Sequence, residues 1–199
     1  MGDFLLIDTS TQLTQCGIVG SDGKIIDVSR GSGDVVEVLP TFVGNICKFG
    51  FGDKLGIVYC GGPGSTLGLR CALMSINVWL RFGGGKLKLY RYCSLAMARY
   101  LAKNGVIACG GAGKFIVETV DGDSIIADSP HGFENFHFFH TKRLMPSWAR
   151  AMKIADYDLG QFDGNIFALA HEVAEPNLFE GAGQQFTKWS WERHRRRDV

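Results

Sequence analysis

Leu55-Gly56-Ile57-Val58-Tyr59-Cys60-Gly61-Gly62-Pro63-Gly64-Ser65-Thr66-Leu67-Gly68-Leu69-Arg70 reads as a buried strand, a glycine-rich turn and the opening of a helix. The apolar run from Leu55 to Cys60 suits a strand covered on both faces. Pro63 and the neighbouring glycines cannot sit inside a regular element. Gly61, Gly62 and Gly64 let the backbone take positive φ or approach another group closely, and Ser65 or Thr66 is a natural N-cap for the apolar segment that follows. A strand, turn and helix N-terminus in this order aim backbone N–H groups at one spot, which suits a phosphate or a carboxylate. Close packing alone explains the same glycines.

Outward from this stretch, residues 4–7, 16–19 and 24–29 read as three strands, the last two joined by a hairpin turn at Ser21-Asp22-Gly23. In residues 34–49, Val35, Val38, Leu39, Phe42, Val43, Ile46 and Phe49 recur at three- and four-residue steps, predicting an amphipathic helix. Pro40 either kinks it or marks its first turn. Residues 66–82 are apolar almost all round, which predicts a helix buried on one side by a sheet and on the other by a partner, or wholly inside one core. Residues 87–92 predict another strand, and residues 94–103 a short helix stopped by Asn104-Gly105. From Val106 the pattern restarts with strands at 106–109, 114–120 and 124–127, which suggests a second, smaller lobe beginning near residue 105. Residues 128–164 give no clear periodicity, and residues 165–174 predict a helix ended by Glu175-Pro176.

Gly62-Pro63-Gly64-Ser65-Thr66-Leu67-Gly68-Leu69-Arg70 resembles the Gly-Pro-Gly-Ser-Phe-Thr-Gly-Leu-Arg signature of the TsaB (YeaZ) family, a tRNA-modification branch of the actin/sugar-kinase/Hsp70 superfamily; seven of nine positions agree, with Thr66 and Leu67 the departures. Leu5-Leu6-Ile7-Asp8-Thr9-Ser10 resembles the first strand and Asp-Thr-Ser turn of that family. Val38-Leu39-Pro40 is similar to its Leu-Leu-Pro, and Glu175-Pro176-Asn177-Leu178-Phe179 matches its C-terminal motif only at the proline and one apolar position. The resemblance implies an α/β fold with an actin/ribonuclease-H-like domain over residues 1–104, namely a three-stranded meander followed by helix-strand-helix-strand. A smaller, incomplete mixed α/β lobe with a basic tail then follows over residues 105–199. The implied role is that of a noncatalytic scaffold for making threonylcarbamoyl-adenosine on tRNA. Its partners would be a TsaD-type catalytic subunit and a TsaE-type ATPase, with ATP and Mg bound in the assembled complex and none by this chain alone.

At 199 residues the chain is long enough for a sizeable core, and 46% hydrophobic content with a net charge of +1 predicts a folded protein without an electrostatic drive toward nucleic acid. The six cysteines are scattered through apolar segments with no Cys-x-x-Cys pair, so buried free thiols are expected. No basic region precedes the short apolar run at residues 4–7, and no segment is long enough to span a bilayer; a cytoplasmic location is expected.

Asp8, Thr9 and Ser10 stand where nucleotide-active superfamily members hold phosphate and a metal-bound water. Together with Gly62, Gly64 and Ser65 they form a candidate nucleotide site, vestigial because no second gripping lobe is apparent. The catalytic relatives' helix histidines have no counterpart in residues 34–49, and His137 and His140 would lie on opposite faces of a strand, so no metal site is expected. Gly-x-Ser-x-Gly is absent, which leaves a serine-hydrolase reading unsupported and no catalytic residue to name. Trp189, Trp191 and the basic run to Arg197 form either a solvated tail or an RNA contact.

Two helical faces are the expected subunit interface: Val35, Leu39, Phe42, Val43 and Ile46 on the first, and Leu69, Leu73, Ile76, Trp79 and Leu80 on the second. They would serve a homodimer when the chain is alone and a TsaD-type partner otherwise. The alternatives are a small acetate- or sugar-kinase-like phosphotransferase acting as a dimer through Asp8 and the 61–65 turn, and a self-associating structural protein.

Overall fold

The computed structural model describes residues 3–46, 54–82, 87–110, 113–140 and 145–178. The expected features at Cys47, Phe49, Phe179, His194 and the Trp-rich basic tail lie outside them.

The chain is α/β, built on two mixed sheets. Strands β1 (Asp3–Asp8), β2 (Leu13–Val19) and β3 (Ile25–Ser32) form an antiparallel meander, followed by α1 (Val35–Ile46), β4 (Lys54–Cys60), α2 (Thr66–Phe82), β5 (Lys88–Tyr92) and α3 (Ser94–Ala102). β4 and β5 add in parallel beside β1, so the first sheet runs β10-β5-β4-β1-β2-β3, an actin/ribonuclease-H-like order with one extra edge strand. β6 (Val106–Cys109), β7 (Phe115–Glu118), β8 (Ser124–Ala127) and β9 (His137–Phe138) make the second sheet, ordered β8-β7-β6-β9 with β9 parallel to β6. This repeats the β3-β2-β1-β4 order of the first sheet on a smaller scale. The helix that precedes β4 in the first copy is replaced by the turns before β9.

Side-chain alternation along β1 and β4 divides the first core in two. Leu5, Ile7, Ile57 and Tyr59 face Leu39 and Val43 of α1 and Ala72 and Ile76 of α2. Phe4, Leu6, Val58 and Cys60 face Met97 of α3 and a returning stretch carrying Leu159, Phe162, Ile166 and Ala170. The 55–60 strand is therefore covered on both faces, as its unbroken apolar run demands. Gly68 lets α2 lie against β1: a Cβ there would stand 2.2 Å from the Thr9 carbonyl oxygen, and one at Gly64 would stand 2.4 Å from that of Ser10. α1 begins at Val35, which places Pro40 inside the helix rather than at its start.

Residues 165–174 are not the predicted helix. Asn165 accepts a hydrogen bond from the Phe167 N–H and opens a 3-10 turn over Ile166–Ala168, after which β10 (Ala170–Val173) pairs antiparallel with β5. The edge of β5 offers a row of unpaired backbone groups, and satisfying them outweighs the weak local helical preference.

Candidate functional site

The end of β1 places Asp8 on the same sheet face as Phe4 and Leu6, with its carboxylate fully buried. One carboxylate oxygen accepts from the Ser10 N–H (2.8 Å) and the Ser10 hydroxyl (2.6 Å). The other accepts from the hydroxyls of Tyr92 (2.5 Å) and Tyr157 (2.6 Å). Burial, followed by the neighbouring Asp8 charge, pushes both tyrosine hydroxyls well above their usual range, and the same two causes raise the Cys60 thiol. Tyr92 ends β5, whereas Tyr157 arrives from the far part of the chain. Gln15, fully buried on β2, holds that segment through two bonds: its amide donates to the Tyr157 carbonyl and its oxygen accepts from the Leu159 N–H, each at 3.0 Å.

The glycine turn closes over the same end of the sheet. Ser65 N–H donates to the Ser10 carbonyl at 2.6 Å, Ser94 N–H donates to the Gly62 carbonyl at 3.1 Å, and the Ser94 hydroxyl donates to the Pro63 carbonyl. Gly62 takes φ +98, a value open to glycine. Ser65, rather than Thr66, caps α2 by accepting from the Gly68 N–H at 3.3 Å. The structure thus brings Asp8, Ser10, Gly62, Gly64 and Ser65 into one neighbourhood but turns Thr9 to the opposite face, toward Gly68. Asp8 already accepts four hydrogen bonds in a closed interior, so these residues do not fit a nucleotide-bound magnesium ion. Among the described residues no group of three His, Cys, Asp or Glu side chains could hold a metal, and Cys60, Cys71 and Cys93 carry free thiols.

The two candidate interface faces need correction. Leu39, Val43, Leu69 and Ile76 are buried in the core of the chain itself and present nothing to a partner. Val35, Phe42, Ile46, Leu73, Trp79 and Leu80 are half-buried against the core between α1, α2 and the sheet. The apolar groups left in solvent on α2 are instead Leu67 (62% exposed), Met74 (69%), Val78 (50%) and Phe82 (82%), in a single stripe. Sequence periodicity marked the helix as surplus in apolar surface but pointed to its inward side. Gln15, Tyr92 and Tyr157 were missed altogether as site residues.

No family model matches the sequence, and no curated protein does either. Among solved structures the chain is similar to YeaZ from Pseudomonas aeruginosa, at 14% identity and TM-score 0.48, over 69% of this chain and 75% of that one. It is also similar to a Pseudomonas aeruginosa protein described as having similarity to peptidase YEAZ, at 17% identity and TM-score 0.46, over 65% of each chain. A further similarity is to the ethanolamine utilization protein EutJ from Carboxydothermus hydrogenoformans, at 15% identity and TM-score 0.40; the chain spans 52% of that protein's length. No helix among the described residues is long and apolar enough to cross a membrane.

Proposed function

We propose that this chain is a noncatalytic scaffold subunit in the assembly that makes threonylcarbamoyl-adenosine on tRNA, pairing with a TsaD-type catalytic subunit. The reading draws its direction from the two sequence motifs at Leu5–Ser10 and Gly62–Arg70. The observation that carries its noncatalytic half is the saturated, buried carboxylate of Asp8, which has no lone pair left to orient a metal-bound water. A phosphotransferase would need that carboxylate open, so the kinase-like alternative is disfavoured. ATP, magnesium and tRNA belong in this proposal to the assembled complex, together with a TsaE-type ATPase. The docking face is the exposed α2 stripe of Leu67, Met74, Val78 and Phe82, which also serves self-association when the partner is missing.

The test has two arms. The purified chain alone is expected to turn over no ATP, and an immobilised chain is expected to capture a TsaD-type subunit. ATP turnover lost in Asp8→Ala would overturn the noncatalytic reading, and failure to retain a TsaD-type protein would overturn the scaffold.

A further inference from the structure

β8 is the outer strand of the second sheet, and the phase of its hydrogen bonds leaves that edge open. In the β7–β8 turn the Thr119 N–H donates to the Asp123 carbonyl at 2.9 Å, and on the other side of β7 the Gly110 N–H donates to the Lys114 carbonyl at 2.8 Å. With Glu118 opposite Ser124 and Ile116 opposite Ile126, the alternation of an antiparallel ladder gives the backbone groups of Ile125 and Ala127 to β7 and turns those of Ser124 and Ile126 away from it. Among the described residues, no backbone hydrogen bond outside the ladders uses Ser124 or Ile126. Other sheet edges are guarded: β3 carries Asp27 and Arg30, β10 carries His171 and Glu172, and Phe138 of β9 bridges to Ile154. β8 is Ser124-Ile125-Ile126-Ala127, without a charge or a proline. Ile125 is 42% exposed and Ile126 49%, one on each face of the sheet.

We propose that the β8 edge takes an extended segment of a partner protein as an added strand, with apolar residues beside Ile125 and Ile126 and a lysine or arginine toward the 121–123 turn. This surface is separate from the α2 docking face and does not depend on it. Backbone pairing requires an extended segment, because only that form presents donors and acceptors at the two-residue spacing of Ser124 and Ile126. Charge selects the flanks of the segment. Around the hairpin, Glu118 stands 3.8 Å from Arg99 Nε, Lys114 pairs with Asp128, and Arg91 donates to the Asn177 side chain and the Leu178 carbonyl. Asp121 and Asp123 stand exposed in the turn, where a basic residue complements them. A second copy of β8 would instead bring another acidic turn to the same edge. The edge offers only a few backbone groups, so the pairing is weak alone and suits a segment tethered by other contacts.

The probe is the capped pentapeptide acetyl-Lys-Val-Thr-Val-Lys-amide, titrated into the 15N-labelled full chain. Before addition, the Ser124 and Ile126 amides are expected to exchange with solvent faster than those of Ile125 and Ala127. The peptide is expected to shift Ser124 and Ile126 most and to bind about threefold more tightly than acetyl-Glu-Val-Thr-Val-Glu-amide, a ratio that one exposed ion pair supplies. N-methylation of the peptide tests the pairing without touching the fold. Methyl groups on the threonine nitrogen alone, or on both valine nitrogens, fall on opposite edges of the added strand, so one form is expected to bind and the other to fail. Asp121→Asn combined with Asp123→Asn is expected to bring the lysine and glutamate peptides to similar affinity. Slow exchange at Ser124 and Ile126 in the free chain would show the edge already covered and overturn the proposal. Shifts centred elsewhere, equal behaviour of the two N-methylated forms, or unchanged selectivity in the double variant would do the same. Shifts at Ser124 and Ile126 that grow with chain concentration alone would assign the edge to a second copy and likewise overturn it.

Discussion

Asp8 shows how a buried carboxylate can be satisfied entirely from within the fold. Its four donors include two neutral tyrosine hydroxyls, one from the buried Tyr92 and one from the half-buried Tyr157, and this couples the fold to alkaline pH. Tyr92 and Tyr157 ionise near 10.0 in the unfolded chain but well above that in the folded one. Above the unfolded value the folded state binds more protons, so stability is intact below about pH 10 and falls as pH rises, by roughly 1.4 kcal/mol per pH unit for each tyrosine. Thermal melts across this range check the slope, and Tyr157→Phe should make it shallower while removing one bond to Asp8. Gly68 supplies a second test at this scale. Any Cβ meets the Thr9 carbonyl at 2.2 Å, so Gly68→Val is expected to destabilise by about 1–3 kcal/mol or more through overpacking. A melt that shows no loss would mean that α2 does not lie this close to β1. Gly68 was legible in the sequence because a glycine in the first turn of an apolar helix, straight after a glycine-proline turn, marks a close backbone approach, although its contact Thr9 is distant in the chain. The tyrosine cage was not, because Tyr157 and Gln15 act across 149 and 142 residues and neither sits in a periodic pattern.

At the scale of elements, α2 carries the exposed apolar stripe on which the proposed docking rests. Its bounds were readable from the Ser65 cap and the long apolar run, since capping and hydrophobic content are local properties. Its orientation was not. With apolar residues on every side, the sequence does not say which side the sheet takes; the glycine at 68 settles it by allowing contact with β1 on that side alone. Leu69, Ala72 and Ile76 turn inward as a consequence, and Met74, Val78 and Phe82 turn out. Met74→Glu combined with Val78→Lys touches no core group and is expected to change stability by less than about 1 kcal/mol, read from denaturation curves. The same pair is expected to abolish both self-association, read by light scattering, and capture of the TsaD-type subunit. Charged Leu69 or Ile76 variants should instead fail to fold, which separates a docking face from a core face. Retained association in the Met74/Val78 variant would remove α2 from the docking surface. β10 carries the opposite lesson: a segment with helical preference became a strand because the β5 edge was open to it.

Over the whole molecule, the boundary expected at residue 104 follows the restart of the strand pattern, but the chain beyond it returns to the first sheet. Leu159, Phe162, Ile166 and Ala170 fill the face opposite α1 and α2, Tyr157 and Gln15 tie the returning segment to β1 and β2, and β10 extends the sheet past β5. Further on, the Asn177 backbone exchanges hydrogen bonds with the Tyr59 hydroxyl at 3.0 Å in both directions, and Arg91 donates to the Leu178 carbonyl at 3.1 Å. A fragment of residues 1–104 would therefore strip the returning segment from Phe4, Leu6 and Val58 of the sheet and from Met97 of α3, the one helix left over that face, and would leave the Asp8 carboxylate short of a donor in a newly wetted site. Uncovering four such side chains costs about 1.5–3 kcal/mol each, which together matches the whole stability of a typical domain. The fragment is expected to lack a cooperative thermal transition and dispersed amide resonances, and to regain both when residues 105–199 are supplied in trans. A fragment that melts cooperatively alone would show that the returning segment only decorates the first sheet, and that the sequence boundary at residue 104 is a true domain boundary.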